Sequence, residues 1–126
     1  MSQSKSERRD HPRATANLGL KIRNKGLYLI TDTRNISCSG VYCRVNKPLP
    51  LMSKISLTLL IPIRNKDKIN TVKIRCNGVV VRSEPEILED ADTAYQNIAI
   101  FFTDLPKKDR SNIAQYVLQS FEQELL

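Results

Sequence analysis

Apolar and polar residues alternate along most of this chain, and the period of that alternation predicts the elements. Leu18, Leu20 and Ile22 alternate with Gly19, Lys21 and Arg23, the two-residue period of a half-buried strand that begins near Asn17. Asn24-Lys25-Gly26 supplies a turn, and Leu27 to Thr33 returns as a second strand rich in aliphatic and β-branched residues. Asn35 to Gly40 reads as a loop of small polar residues. Val41, Cys43 and Val45 then mark a third strand, which Asn46-Lys47-Pro48-Leu49-Pro50 breaks. Ile55, Leu57, Leu59, Ile61 and Ile63 form the longest strict alternation and predict a fourth strand. Arg64 to Asn70 reads as a charged hairpin loop. Val72, Ile74 and Cys76 open a fifth strand that continues through Val79-Val80-Val81, with Gly78 marking a bulge or sharp bend. Glu84 to Thr93 is an acidic loop, and Ile98, Ile100 and Phe102 mark a sixth strand.

After Phe102 the period changes. Ile113, Val117, Phe121 and Leu125 recur at steps of four, with Leu118 flanking, and Pro106 suits a first helical turn. This predicts one amphipathic helix over about residues 105–124. Residues 1–16 show no periodicity and read as a flexible basic arm punctuated by Pro12. The expected architecture is mainly β: a six-stranded antiparallel barrel over residues 17–126, closed by a C-terminal helix.

Composition narrows the functional classes. The 126 residues are enough for one domain with its own core, and 40% hydrophobic with 26% charged residues is ordinary for a soluble globular protein. No apolar run approaches the roughly 20 residues of a membrane span, and residues 1–10 hold no signal-peptide core, so no membrane insertion and a cytoplasmic location are expected. Cys38, Cys43, Cys76 and His11 are too scattered for a structural zinc site; no metal is expected, and the cysteines read as reduced, partly buried small hydrophobes. With a single histidine there is no nucleophile–base arrangement, and no phosphate-cradling glycine loop is present, so no catalytic residues and no enzyme are expected. Charge divides the chain. Residues 1–82 hold 17 of the 20 Lys and Arg but four of the 13 Asp and Glu. Such an excess implies an anionic partner or a well-solvated surface, and charge by itself does not choose between them.

Two short segments carry candidate chemistry. Arg8-Arg9-Asp10-His11-Pro12-Arg13 offers planar guanidinium forks that grip phosphate or the guanine O6/N7 edge and stack on purine faces. In Asn35-Ile36-Ser37-Cys38-Ser39-Gly40, Asn35 donates and accepts against a base edge, Ser37 offers a hydroxyl, and Gly40 tolerates close backbone approach or a positive φ. Each is weak alone. An Arg-rich arm, about one hairpin, and then Asn-x-Ser-x-x-Gly opening a strand together resemble the signature of the PilZ domain family. Gly78-Val79-Val80-Val81-Arg82 resembles that family's Gly-x-Val-Val-Arg strand. Asn97 to Leu105 followed by a helix resembles its closing elements, so the likeness spans roughly residues 7–122.

The resemblance implies a bacterial cyclic di-GMP receptor in which Arg9 and Arg13 grip guanine and phosphate while Asn35, Ser37 and Gly40 complete the site. Arg8, just before the usual pair, implies two ligands per chain. A monomer is expected, with no nucleic acid bound and with arm ordering relayed to an unidentified downstream effector protein. Two alternatives stand beside it. One is a small barrel that binds single-stranded nucleic acid, although such barrels want aromatic platforms among basic strands, and five of seven Tyr and Phe lie on the closing strand and helix instead. The other is a protein adaptor of the same fold that binds no nucleotide.

Overall fold

The structure, a computed structural model, describes residues 12–86 and 95–124. The elements are β1 (Ala14–Thr15), β2 (Gly19–Asn24), β3 (Leu27–Ile36), β4 (Gly40–Val45), β5 (Lys54–Asn65), β6 (Lys68–Glu86), β7 (Tyr95–Phe102) and α1 (Lys107–Glu124). All pairings are antiparallel. The six longer strands form a ring in the order β3-β2-β5-β6-β7-β4, which closes through β3–β4. Alternation makes the ring a barrel. Leu20 and Ile22, the alternate residues Ile55, Leu57, Leu59, Ile61 and Ile63, then Ile74, Val80, Ile98 and Ile100 all point inward, and helix residues Ile113 and Val117 join that core. The helix opens after Pro106 with Asp109 in its first turn, where a carboxylate complements the positive N-terminal end. It packs against β5 and β1, and Gln119 both donates to Arg64 O (2.7 Å) and accepts from Arg64 N (3.0 Å). Leu125 lies outside the described residues.

The strand pattern follows the sequence, but its limits move. Residues 14–16 belong to the barrel and not to an arm. Ala14 and Ala16 are buried, and β1 pairs with Ile36 and Asn35 of β3. Two alanines are too short a pattern to show a period, yet their small side chains fit under the sheet. The predicted loop at Asn35 shrinks to Ser37–Ser39, because β3 continues through Ile36. The charged stretch from Arg64 to Asn70 is not a loop either: β5 and β6 stay paired to Asn65↔Lys68, around a two-residue turn in which Lys66 takes φ +56°. Glu84 and Glu86 extend β6. At the β2–β3 hairpin, Lys25 (φ +46°) and Gly26 (φ +86°) both occupy the left-handed region, as a two-residue turn matched to strand twist requires.

Gly78 marks no bulge. The irregularity falls between Val80 and Arg82, and Gly78 serves a close approach instead, since a Cβ there would meet Ile100 Cγ2 at 2.7 Å and Phe101 O at 2.9 Å. No helix among the described residues is long and apolar enough to cross a membrane.

Candidate functional site

The N-terminal segment reaches the site through a local device centred on Thr33. β1 and β2 line the same edge of β3, with Ala16 to Leu18 bridging them. Thr33 is fully buried beneath that bridge; its hydroxyl donates to Ala16 O (2.7 Å) and accepts from Leu18 N (3.0 Å). Backbone bonds from Ala16 N to Arg34 O (3.0 Å) and from Thr33 N to Leu18 O (2.9 Å) complete the splice. Strict alternation would then turn Asn35 inward with Thr33. A register shift against β4 between Thr33 and Asn35 prevents this, so Arg34 and Asn35 both face outward while Ile36 returns to the core. Bulges commonly re-aim side chains in this way.

Arg13 and Thr15 share the outer side of β1, and Thr15 is the register partner of Asn35. Arg13 Nη1 donates to Asn35 Oδ1 at 3.0 Å. The structure thus joins the two sequence segments. Arg8 and Arg9 lie outside the described residues, as does His11.

Ser37 and Gly40 play parts other than those their residue types suggest. Ser37 is fully buried; its Oγ lies 2.8 Å from Ser39 Oγ and accepts from Ser39 N at 3.2 Å, and its N–H donates to Gly40 O at 2.9 Å. The hydroxyl holds the turn and does not face solvent. Gly40 is not in the left-handed region, since Gly26 alone among the described glycines has a positive φ. Its requirement is proximity: a Cβ at position 40 would lie 2.0 Å from Ile100 O.

Beside Arg13 and Asn35 opens a cleft of about 520 Å³, lined by Thr15, Asn17, Asp32, Arg34 and Arg44 among others. Arg34 and Arg44 were not singled out in the sequence. Glu86 holds both, with Oε2 3.6 Å from Arg34 Nη2 and Oε1 3.4 Å from Arg44 Nη1. The Arg44 guanidinium also stacks over the Tyr95 ring at 4.6 Å. The arrangement offers guanidinium groups, a side-chain amide and hydroxyls, the donor set for an anionic ligand with base edges or phosphates.

The PilZ domain family profile matches residues 7–119. The chain belongs to the PilZ family. This PilZ domain is similar in fold to three solved structures of low sequence identity. The first is the Bacillus subtilis inhibitor of motility MotI/DgrA, at 18% identity and TM-score 0.74, covering 93% of this chain and 53% of that one. The second is the PilZ domain with c-di-GMP of YcgR from Escherichia coli, at 10% and 0.65, covering 93% and 94%. The third is the K. pneumonia MrkH–c-di-GMP complex, at 19% and 0.70, covering 94% and 54%. This PilZ domain therefore spans about half the length of MotI/DgrA and of MrkH. No curated protein matches it significantly.

The three cysteines are free. Burial pushes the Cys43 thiol up to about 12. Burial, and then the charges of Asp104 and Asp109, push Cys76 up to about 12 as well. The Cys38 thiol, raised by burial and opposed by Arg110, lies 3.6 Å from Arg110 O at the start of α1. Among the described residues no group of three His, Cys, Asp or Glu is placed to hold a metal.

Proposed function

We propose that this chain is a cyclic di-GMP receptor. The observation that carries the reading is the Arg13–Asn35 hydrogen bond, which unites two motifs 22 residues apart, next in sequence to Arg34 of the cleft that Arg34 and Arg44 line. Family membership supports it, and the YcgR and MrkH structures are complexes with cyclic di-GMP. In this reading Arg9 and Arg13 grip guanine and phosphate, and Asn35 meets a base edge. Ser37 and Gly40 act as positioning residues that fix the loop. Arg8 caps a second, intercalated ligand, so that two ligands bind per chain. The arm carrying Arg8 and Arg9 closes over the ligand, and a downstream effector protein reads the closed form.

Calorimetric titration tests this. Saturable heat with cyclic di-GMP is expected, with GTP and GMP much weaker and an equivalence point near two. Arg13→Ala removes a charge-assisted contact and weakens affinity by roughly ten- to a hundredfold. An equivalence point near one, unchanged by Arg8→Ala, removes the second ligand. The absence of heat removes the receptor reading altogether, and equal affinity for single-stranded DNA would replace it with a nucleic-acid barrel.

A further inference from the structure

On the outer surface of β2, β5 and β6 the side chains build a groove. Its floor is the middle strand, where the outward residues are the small Ser56 and Thr58. Its walls are the long cations of the neighbouring strands, Lys21 and Arg23 on β2 and Lys73 and Arg75 on β6. The register sets them in rows: Lys21 pairs with Thr58, which pairs with Arg75, and Arg23 pairs with Ser56. Long walls beside a short floor turn a convex barrel surface into a cleft of about 590 Å³. It shares no lining residue with the cleft of Arg34 and Arg44.

The groove carries four cations against one carboxylate. Among the described residues the ion pairs all go to Glu86, and none reaches these four cations, which are exposed. One carboxylate, Asp104, lies at the Ser56 end, and both its oxygens are taken by Asn77, from the backbone N (2.6 Å) and from Nδ2 (2.8 Å).

Dimensions select the occupant. The walls stand two strands apart, about 9.5 Å between backbones, room for a single extended chain. On each wall the cations repeat every second residue, a pitch of about 6.7 Å, which is also the pitch of same-side side chains on an extended peptide. A nucleic-acid strand would want aromatic platforms. Tyr28 is the one aromatic ring in the lining, and Arg23 already lies over it at 5.9 Å.

We propose that this groove docks an extended acidic polypeptide, a run of Asp and Glu on a partner protein, lying along β5 with alternate carboxylates against the two cationic walls. Thr58 is then placed to hydrogen-bond its backbone, and the Ser56 hydroxyl, which donates to Asn77 Oδ1 (3.2 Å), can still accept from it. The site does not depend on cyclic di-GMP binding.

Fluorescence anisotropy with a labelled oligoglutamate peptide and the full chain, at low ionic strength, tests the proposal. Lys21→Gln/Arg75→Gln should weaken binding about fivefold, because two exposed charge pairs are lost, and added salt should weaken the unaltered protein's binding. Lys107→Gln/Lys108→Gln, on the helix, should leave binding unchanged. Titration of the groove variant with cyclic di-GMP should match the unaltered protein, keeping the two sites distinguishable. Failure of the unaltered chain to bind oligoglutamate overturns the proposal, as does equal loss in the helix variant. Oligothymidylate of equal charge binding as tightly, and released by the same groove substitutions, would make the groove a nucleic-acid site instead.

Discussion

Replacing Gly40 by alanine tests whether this position is fixed by backbone proximity. The added Cβ would lie 2.0 Å from Ile100 O, 3.1 Å from Ile100 C and 3.3 Å from Phe101 Cα. All three are backbone atoms, so no side-chain rotation relieves the clash. β4 and β7 must separate at the Gly40↔Phe101 pair by about an ångström, since ordinary contact starts above 3 Å. Two bonds hang on that pair, Ser37 N to Gly40 O and Phe102 N to Ser39 O, each 2.9 Å. Their loss contributes about 1 kcal/mol apiece, and overpacking adds about 1–3 kcal/mol. Taking about 3.5 kcal/mol and an unfolding entropy of about 2.1 cal/mol/K per residue, the melting temperature should fall by about 13 °C. Gly19→Ala is the contrast. Its Cβ meets Leu60 Cδ1 at an ordinary 3.8 Å, and a strand alanine in place of glycine gains about 0.5–1 kcal/mol. Thermal melts followed by circular dichroism compare the two. A Gly40→Ala melt within about 3 °C of the unaltered protein, or an equal drop in Gly19→Ala, would refute the proximity argument.

Thr33→Val keeps the shape but strands Leu18 N and Ala16 O in the interior; urea denaturation should show a loss of about 2–4 kcal/mol, with Thr33→Ser recovering most of it. Arg13→Ala, at a half-buried position, should leave the urea midpoint nearly unchanged while weakening cyclic di-GMP, which separates its ligand role from its structural one. In the native state at pH 8, alkylation followed by mass spectrometry should label Cys38 before Cys43 and Cys76, because the latter two hold their protons up to about 12. The same shifts set a pH dependence. The unfolded chain loses its thiol protons near 9 while the folded one retains them, so the melting temperature should decline as pH rises from about 9 towards 12 and be unaffected by these groups below that window.

The strands were legible because burial of one face writes a two-residue period into the sequence, as in Ile55 to Ile63. Their ends were not. β1 holds two residues, and what fixes it is the hydroxyl of Thr33, which looks like any strand threonine until the fold sets Ala16 and Leu18 beside it. The β5–β6 hairpin stays paired through polar residues because pairing needs backbone, not apolar side chains, once the turn has set the register. At the candidate site, Arg13 and Asn35 were visible as members of local motifs. Arg34, Arg44 and Glu86 were not, because their association crosses three strands and spans 42 residues between Arg44 and Glu86. Ser37 and Gly40 read from the sequence as ligand contacts; the buried turn and the backbone contact that they form exist only after β4 meets β7.

The double contact of Glu86 makes the cleft a place of exchange. Arg34 and Arg44 already have an anion within 3.6 Å, tethered to β6 at a local concentration in the range of millimolar or above. An incoming anion is therefore ranked against that resident carboxylate and not against water. A singly charged visitor merely trades one carboxylate-like contact for another. A ligand bearing two phosphates, spaced to meet both guanidinium groups, gains over the resident. If the proposed ligand meets both guanidinium groups, Glu86 sets its advantage over small anions without touching it.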